Sequence, residues 1–117
     1  MGEADRTEGL RVLVVDDQKV DANVYSALFK ALGVGEVDIA VSGEEAVQFV
    51  QGKTYDLVLS DVRMPGMGGI GFVKYVRETL GNRELPIYAV TSDTASIDSC
   101  REQGFNAVLM KPVTRAD

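Results

Sequence analysis

Acidic, hydroxyl and basic side chains follow several short apolar segments of this sequence, at points where strands would end. These polar residues are Asp16 and Asp17, Asp61, Thr91 and Ser92, and Lys111. Carboxylates that converge repel one another unless a cation neutralises them. Because the chain has no histidine, the candidate metal ligands among these residues are oxygen atoms. Oxygen ligands favour a hard cation such as Mg²⁺ or Mn²⁺. Mg²⁺ often binds one or two carboxylates together with a substrate phosphate, so the set favours phosphate chemistry.

Each of these residues also has an ordinary structural explanation when it is taken alone. Asp16 or Asp17 can cap a helix, and Asp61 can belong to a turn. Thr91 can be a cap as well, and Lys111 can be a solvated charge. Only the joint arrangement, with every residue at the end of a predicted strand, favours one shared site.

The segments between these residues alternate between two periodicities. Apolar or alternating runs predict strands at residues 12–15, 37–41, 56–60, 87–90 and 107–110. Helical spacing predicts helices at residues 19–32, 42–50, 72–80 and 92–103, with a glycine-rich loop at 64–71. This alternation predicts an open α/β sheet of parallel strands with right-handed crossovers. Sites in such sheets form at the carboxyl ends of the strands, where the polar residues stand.

The first predicted helix carries apolar residues on one face, which we expect to pack against the sheet. They are Val20, Val24, Ala27, Leu28 and Ala31. Tyr25 and Phe29 project roughly opposite this face, so we expect both to be exposed. They are then either a docking patch for a partner or exposed side chains without a role.

Length and composition narrow the class of protein. The chain has 117 residues and an ordinary globular balance, with 45% hydrophobic and 26% charged residues. A net charge of −6 disfavours direct binding of nucleic acid, and no apolar run is long enough for membrane insertion. A single cysteine, Cys100, excludes an internal disulfide and fits the cytoplasm. Residues 1–10 read as a flexible leader without a signal peptide.

Four short motifs together resemble the receiver domains of two-component response regulators. They are Val-Asp-Asp at 15–17, Asp-Val-Arg-Met-Pro-Gly-Met at 61–67, Val-Thr-Ser at 90–92 and Lys-Pro at 111–112. The resemblance covers residues 11–113 and makes 11–117 a receiver domain. It implies a flavodoxin-like, doubly wound five-stranded parallel sheet with strand order 2-1-3-4-5. The family's fifth helix would be short or absent, because only six residues follow Lys111. We expect one of three explanations: the sequence is cut from a longer protein, a partner or second copy covers the gap, or the domain is a minimal variant.

The resemblance also implies a role for each candidate residue. Asp61 would accept a phosphoryl group from the phosphohistidine of a histidine kinase or a histidine phosphotransfer protein. The metal ligands would be Asp16, Asp17, Asp61 and the backbone carbonyl of Arg63. Lys111 and Thr91 would contact the phosphoryl oxygens, with Ser92, Val62 and Arg63 around the phosphate. The acyl phosphate would switch contacts with an output domain, a target protein or a second copy, with no enzymatic activity beyond phosphotransfer to itself and autodephosphorylation.

One departure from the family and two alternatives accompany this interpretation. Val108 stands where the family often has an aromatic residue that moves with the threonine, so that coupling is in doubt. A metal-dependent phosphatase with an aspartyl-phosphate intermediate is the enzyme alternative, but Arg63 stands where a second aspartate would serve as general acid. A receiver-like binding module that takes no phosphate is the other alternative, which the intact set of polar residues disfavours.

Overall fold

The computed structural model describes residues 9–64, 66–92 and 97–111. Its strands are β1 (Arg11–Val15), β2 (Glu36–Ala40), β3 (Leu57–Asp61), β4 (Ile87–Thr91) and β5 (Ala107–Met110). Its helices are α1 (Lys19–Ala31), α2 (Gly43–Gly52), α3 (Gly68–Lys74) and α4 (Ile97–Gln103), and a π-helical turn, Tyr75–Thr79, continues α3. All five predicted strands are confirmed to within one residue at each end.

The strands form one parallel sheet in the order β2-β1-β3-β4-β5. This confirms the predicted α/β class and strand order. The central strands are buried on both faces: Leu13 and Val15 pack on one side, and Val12 and Val14 pack on the other. A continuous apolar run is what a two-sided burial requires, so the sequence pattern and the packing agree. The short strands bring their carboxyl ends to one edge of the sheet.

The prediction for the buried face of α1 was right for Leu28, which is half-buried against the core, and wrong for the other residues of that face. The buried residues of this helix are Ala22, Tyr25 and Ser26, whereas the side chains of Val20 and Val24 are 76% and 47% exposed. Both faces of the helix carry apolar residues, and burial of the aromatic bodies removes more surface from water than burial of valines. Tyr25 and Phe29 therefore pack against the sheet and form no exposed docking patch.

The start of α2 follows its sequence signature. Ser42 Oγ accepts a hydrogen bond from the backbone N–H of Glu45 at 3.0 Å, and Glu45 Oε1 accepts one from the N–H of Val41 at 3.2 Å. The first bond is that of a capping box, while the second reaches one residue further back than the usual N-cap partner. The cap determines where the chain leaves the edge strand β2.

The glycine-rich segment after β3 was only partly predicted. We expected a loop over residues 64–71, but α3 already begins at Gly68. The reason is close packing, because a Cβ atom at Gly69 would collide with the backbone oxygen of Asp61. Glycine here lets a helix rest directly on the strand end. Leu80, which directly follows the π-helical turn, is 40% exposed.

Some predictions fall on residues outside the described ranges. The helix expected over 92–103 is present as α4 from Ile97, and residues 93–96 lie outside. The expected leader at 1–10 is described only from residue 9, and residues 112–117, where a fifth helix would begin, are likewise outside the description.

Candidate functional site

The predicted site residues meet at the carboxyl edge of the sheet. Asp61 and Thr91 are the last residues of β3 and β4, Asp16 directly follows β1, and Lys111 directly follows β5. The N–H of Lys111 donates to the Thr91 oxygen at 2.9 Å, and the N–H of Asp16 donates to the Ala40 oxygen at 3.0 Å. The sheet's own hydrogen bonds therefore extend into the site and hold its backbone in place.

Three carboxylates converge at this edge. One oxygen each from Asp16, Asp17 and Asp61 lies within 4.8 Å of the others. Asp16 is fully buried, Asp61 is 6% exposed and Asp17 is half-buried. Asp16 Oδ1 accepts a hydrogen bond from the N–H of Gln18 at 2.9 Å, whereas Asp16 Oδ2 is buried with no hydrogen-bond partner. A buried carboxylate oxygen without a partner is costly, and a divalent cation between the three groups would supply the missing interaction.

Burial changes the acidity of Asp16. Burial is the largest cause and, together with the nearby Asp61, it raises the pKa, while the Gln18 N–H and Lys111 lower it; the net result is a pKa of about 6. A carboxyl group in such surroundings resists ionisation until a positive charge approaches. The donor set, made only of oxygen, therefore fits a hard cation such as Mg²⁺.

Lys111 supplies the fixed positive charge of the site. Its Nζ atom donates to Asp61 Oδ2 at 3.0 Å. Burial lowers the pKa of Lys111, but the hydrogen bond to Asp61 and the surrounding carboxylates outweigh it, so the pKa is raised. The ammonium therefore stays charged and faces the same carboxylate that sequence analysis singled out as the acceptor.

The segment after Asp61 is arranged around its carboxylate. Asp61 Oδ1 accepts a hydrogen bond from the N–H of Arg63 at 3.3 Å. The N–H of Val62 donates to Val90 on the neighbouring strand at 3.2 Å, and the oxygen of Val62 accepts from the N–H of Gly69 at 3.2 Å. Val62 is buried and Arg63 is exposed. Both residues directly follow Asp61, and the backbone here is held from two sides.

The remaining predicted residues also lie at this edge. Thr91 is buried, at 2% exposure, and Ser92 is exposed. Val108 is half-buried and packs against the core cluster beneath α2, α3 and α4. A valine in that position fills space on the sheet and has no long aromatic side chain to move.

Sequence analysis missed a fourth carboxylate beside the site. Asp21, in the first turn of α1, places its Oδ2 atom 3.8 Å from Lys111 Nζ. The only signal in the sequence was its spacing, four residues after Asp17, and that spacing is uninformative until the direction of α1 is known. The exposure predicted for Tyr25 was wrong for the same reason. Tyr25 lies near the site, where burial raises its pKa and where Lys111 and Asp21 are among the charges that act on it.

Comparison with known proteins assigns this arrangement to a family. The sequence model of the response regulator receiver domain matches residues 12–117. The chain belongs to the response regulator receiver domain family. The family assignment agrees with the observed strand order of the sheet.

Relatives of this receiver domain occur both in kinases and in small regulators. It is 40% identical over 108 residues to the autoinducer 2 sensor kinase/phosphatase LuxQ of Vibrio parahaemolyticus, covering 91% of this chain and 12% of that protein. It is 33% identical over 109 residues to a probable chemotaxis protein CheY of Rhizobium etli, covering 92% of this chain and 84% of that protein. The chain spans only about a tenth of the length of the sensor kinases that it matches.

A solved structure with a metal is among the similar folds. The receiver domain of the sensor histidine kinase PA1611 of Pseudomonas aeruginosa has a TM-score of 0.83 and 32% identity, covering 92% of this chain and 89% of that one. That protein carries a magnesium ion coordinated in its active site cleft. Within the part of this receiver domain that the structure describes, no helix has both the length and the apolar character for a membrane crossing.

Proposed function

We propose that Asp61 is the phosphoacceptor of this receiver domain and takes its phosphoryl group from a phosphohistidine of a partner. The observation that carries the proposal is the position of Asp61, which belongs to the three-carboxylate cluster and also binds Lys111 Nζ at 3.0 Å. A carboxylate that is ionised at neutral pH needs no general base to act as nucleophile. One of its oxygens forms a bond to phosphorus while the phosphorus–nitrogen bond breaks, and the electron pair of that bond returns to the donor imidazole.

The metal of this proposal is Mg²⁺, held by Asp16, Asp17, Asp61 and the backbone carbonyl of Arg63. When bound, the ion would neutralise the charge that builds up on the phosphoryl oxygens. The unpartnered Asp16 Oδ2 atom and the all-oxygen donor set support the proposal. Mn²⁺ has the same preference for oxygen ligands, and we infer that it can substitute.

The other polar residues of the site have separate roles in the proposal. Lys111 pairs with a phosphoryl oxygen once the group has been transferred, because its ammonium already faces Asp61. The hydroxyl of Thr91 donates to another phosphoryl oxygen. Ser92, Val62 and Arg63 surround the group, with the small side chain of Ser92 leaving space for it. Phosphoryl transfer depends on such positioning and charge neutralisation more than on covalent help from the protein.

The partner of this proposal is a histidine kinase or a histidine phosphotransfer protein, which docks on α1. The outer face of this helix, in the two turns next to the site, exposes Val20 by 76% and Val24 by 47%. Apolar side chains grouped on an exposed helix face beside a site favour a protein contact. Output passes to another domain, a target protein or a second copy of the chain. Cys100 is buried and is the single cysteine of the sequence, which is compatible with the cytoplasmic location that we infer.

Labelling by a small phosphodonor tests the assignment of Asp61. The protein, incubated with Mg²⁺ and the donor, is expected to gain one acid-stable, alkali-labile phosphoryl group. Asp61→Asn should abolish the label, because an amide does not attack phosphorus. Asp56→Asn is the matched control, since Asp56 is exposed just before the opposite end of β3 and its variant should label normally. Equal labelling of Asp61→Asn would refute the proposal.

The same assay separates the two alternatives from the proposal. We infer that the domain does not catalyse repeated phosphate hydrolysis, because position 63 carries an arginine and not the aspartate that would act as general acid in such a phosphatase. Hydrolysis of p-nitrophenyl phosphate much faster than loss of the label from Asp61 would instead indicate a phosphatase. A folded protein that binds the partner but accepts no label would indicate a binding module.

A further inference from the structure

The ammonium group of Lys111 has two carboxylate neighbours on different elements. Its Nζ atom lies 3.0 Å from Asp61 Oδ2 and 3.8 Å from Asp21 Oδ2. The Asp61 side chain is nearly buried, at 6% exposure, while that of Asp21 is 44% exposed. Among the described residues, the group of carboxylates that could hold a metal ion consists of Asp16, Asp17 and Asp61 and does not include Asp21. The fourth carboxylate therefore acts on Lys111 from outside the proposed metal site.

We propose that Asp21 is a positioning residue that acts through Lys111 and weakens the hold of its ammonium on the phosphoryl group. This inference rests on the function proposed above, in which Asp61 is phosphorylated. Asp21 is not one of the proposed metal ligands, although its charge is among those that raise the pKa of Asp16. It sets how much of the positive charge of Lys111 is available to the phosphoryl oxygens.

The geometry of α1 keeps Asp21 beside Lys111 before and after the transfer. Asp21 lies in the first turn of the helix, and the next turn is anchored by Tyr25, which is buried at 5% exposure. The buried Tyr25 therefore keeps this turn of the helix, and with it the backbone of Asp21, close to Lys111 when a second anion arrives at Asp61. After transfer, the ammonium must serve the phosphoryl oxygens and Asp21 together, and like charges on the two anions repel each other across it.

The size of the effect follows from the exposure of the pair. Half-exposed ion pairs are screened by solvent and are individually weak. Removing the charge of Asp21 should therefore change the rate of labelling and the lifetime of the label by about two- to fivefold rather than by orders of magnitude. An effect of this size would tune the lifetime of the signal without deciding whether phosphorylation occurs.

The test compares Asp21→Asn with Glu84→Gln in the full chain. Both substitutions remove one negative charge, but Glu84 is exposed in the segment before β4, at the opposite edge of the sheet. With saturating Mg²⁺ and a small phosphodonor, Asp21→Asn should be labelled faster and should keep the label about two- to fivefold longer. The gain should shrink at high salt, whereas Glu84→Gln should behave as the unchanged protein does.

A second measurement examines Lys111 directly, in the unphosphorylated protein. The nitrogen resonance of its ammonium should shift in Asp21→Asn and stay in place in Glu84→Gln. An unshifted resonance, or labelling of Asp21→Asn that equals that of Glu84→Gln, would overturn the inference and leave the role of Asp61 intact. An unchanged protein that takes no label at Asp61 would instead refute the proposed function, whatever the Lys111 resonance does.

Discussion

At the scale of single residues, the site is a balance between crowded negative charge and one fixed positive charge. Asp16 is fully buried with an unpartnered oxygen, so the free site stores an unfavourable interaction. Lys111 relieves Asp61 but has no hydrogen bond to Asp16 among those found in the described residues. A divalent ion would neutralise the carboxylates of both Asp16 and Asp61. Without such an ion, the crowding of negative charge favours a protonated Asp16.

The raised pKa of Asp16 predicts how metal binding depends on pH. Burial raises this pKa to about 6, so the free site holds a proton below that value. Mg²⁺ must displace the proton, and its affinity should therefore fall as the pH drops from 7 to 5. Without metal, the effect of pH on folding has the opposite sign. The folded protein binds the Asp16 proton more tightly than the unfolded chain does, so the contribution of Asp16 to stability falls as the pH rises from about 3.8 to about 6.

Titration of Mg²⁺ at several pH values, followed by the amide resonances near the site, measures this dependence. Asp16→Asn is the control, since its residual affinity should depend much less on pH. Equal affinity of the unchanged protein at pH 5 and pH 7 would contradict the assignment of Asp16 as a ligand.

At the scale of elements, α3 rests on the end of β3 without a side chain between them. A Cβ atom at Gly69 would meet the backbone of Asp61 and Val62. Gly69→Ala should therefore destabilise the fold by about 1–3 kcal/mol, as overpacking does. Gly52→Ala is the matched control, because nothing lies within 4 Å of a Cβ atom there, and alanine should stabilise α2 slightly. Urea unfolding of both variants measures the difference, and equal stabilities would contradict the packing described here.

The outer face of α1 carries a second prediction at this scale. Val24→Lys places a charge on the exposed face beside the site while leaving the buried face, with Tyr25, unchanged. Transfer from a phosphorylated histidine phosphotransfer protein should slow several-fold, because an apolar contact is lost. Labelling by a small phosphodonor should not change. Slowing of both reactions would indicate damage to the site, and slowing of neither would place the docking surface elsewhere.

The elements also show where sequence reasoning succeeds and where it stops. Strands were predictable because an apolar run such as 12–15 can only be buried on both faces, and parallel topology then places Asp16, Asp61 and Lys111 at one edge. The face of α1 was not predictable, because valines on one side and aromatic residues on the other give two competing apolar stripes. Asp21 was missed for that reason, since its position beside Lys111 depends on the rotation of the helix.

At the scale of the whole molecule, the protein is a receiver domain with a carboxylate cluster at one edge of its sheet. One face of the sheet packs under α2, α3 and α4, and, among the described residues, α1 packs on the other. The sequence contains no histidine, and in the proposed transfer the phosphohistidine belongs to a partner. The match to about a tenth of the length of sensor kinases places such modules inside larger proteins as well as alone.

Chemical trapping of the acyl phosphate tests the central claim most directly. The protein is labelled with a small phosphodonor, reduced with borohydride, which converts an aspartyl phosphate to homoserine, and mapped by peptide fragmentation. The account predicts reduction at residue 61 alone, and only when Mg²⁺ was present during labelling. Reduction at Asp16 or Asp17, or equal reduction at residue 61 without any divalent ion, would contradict it.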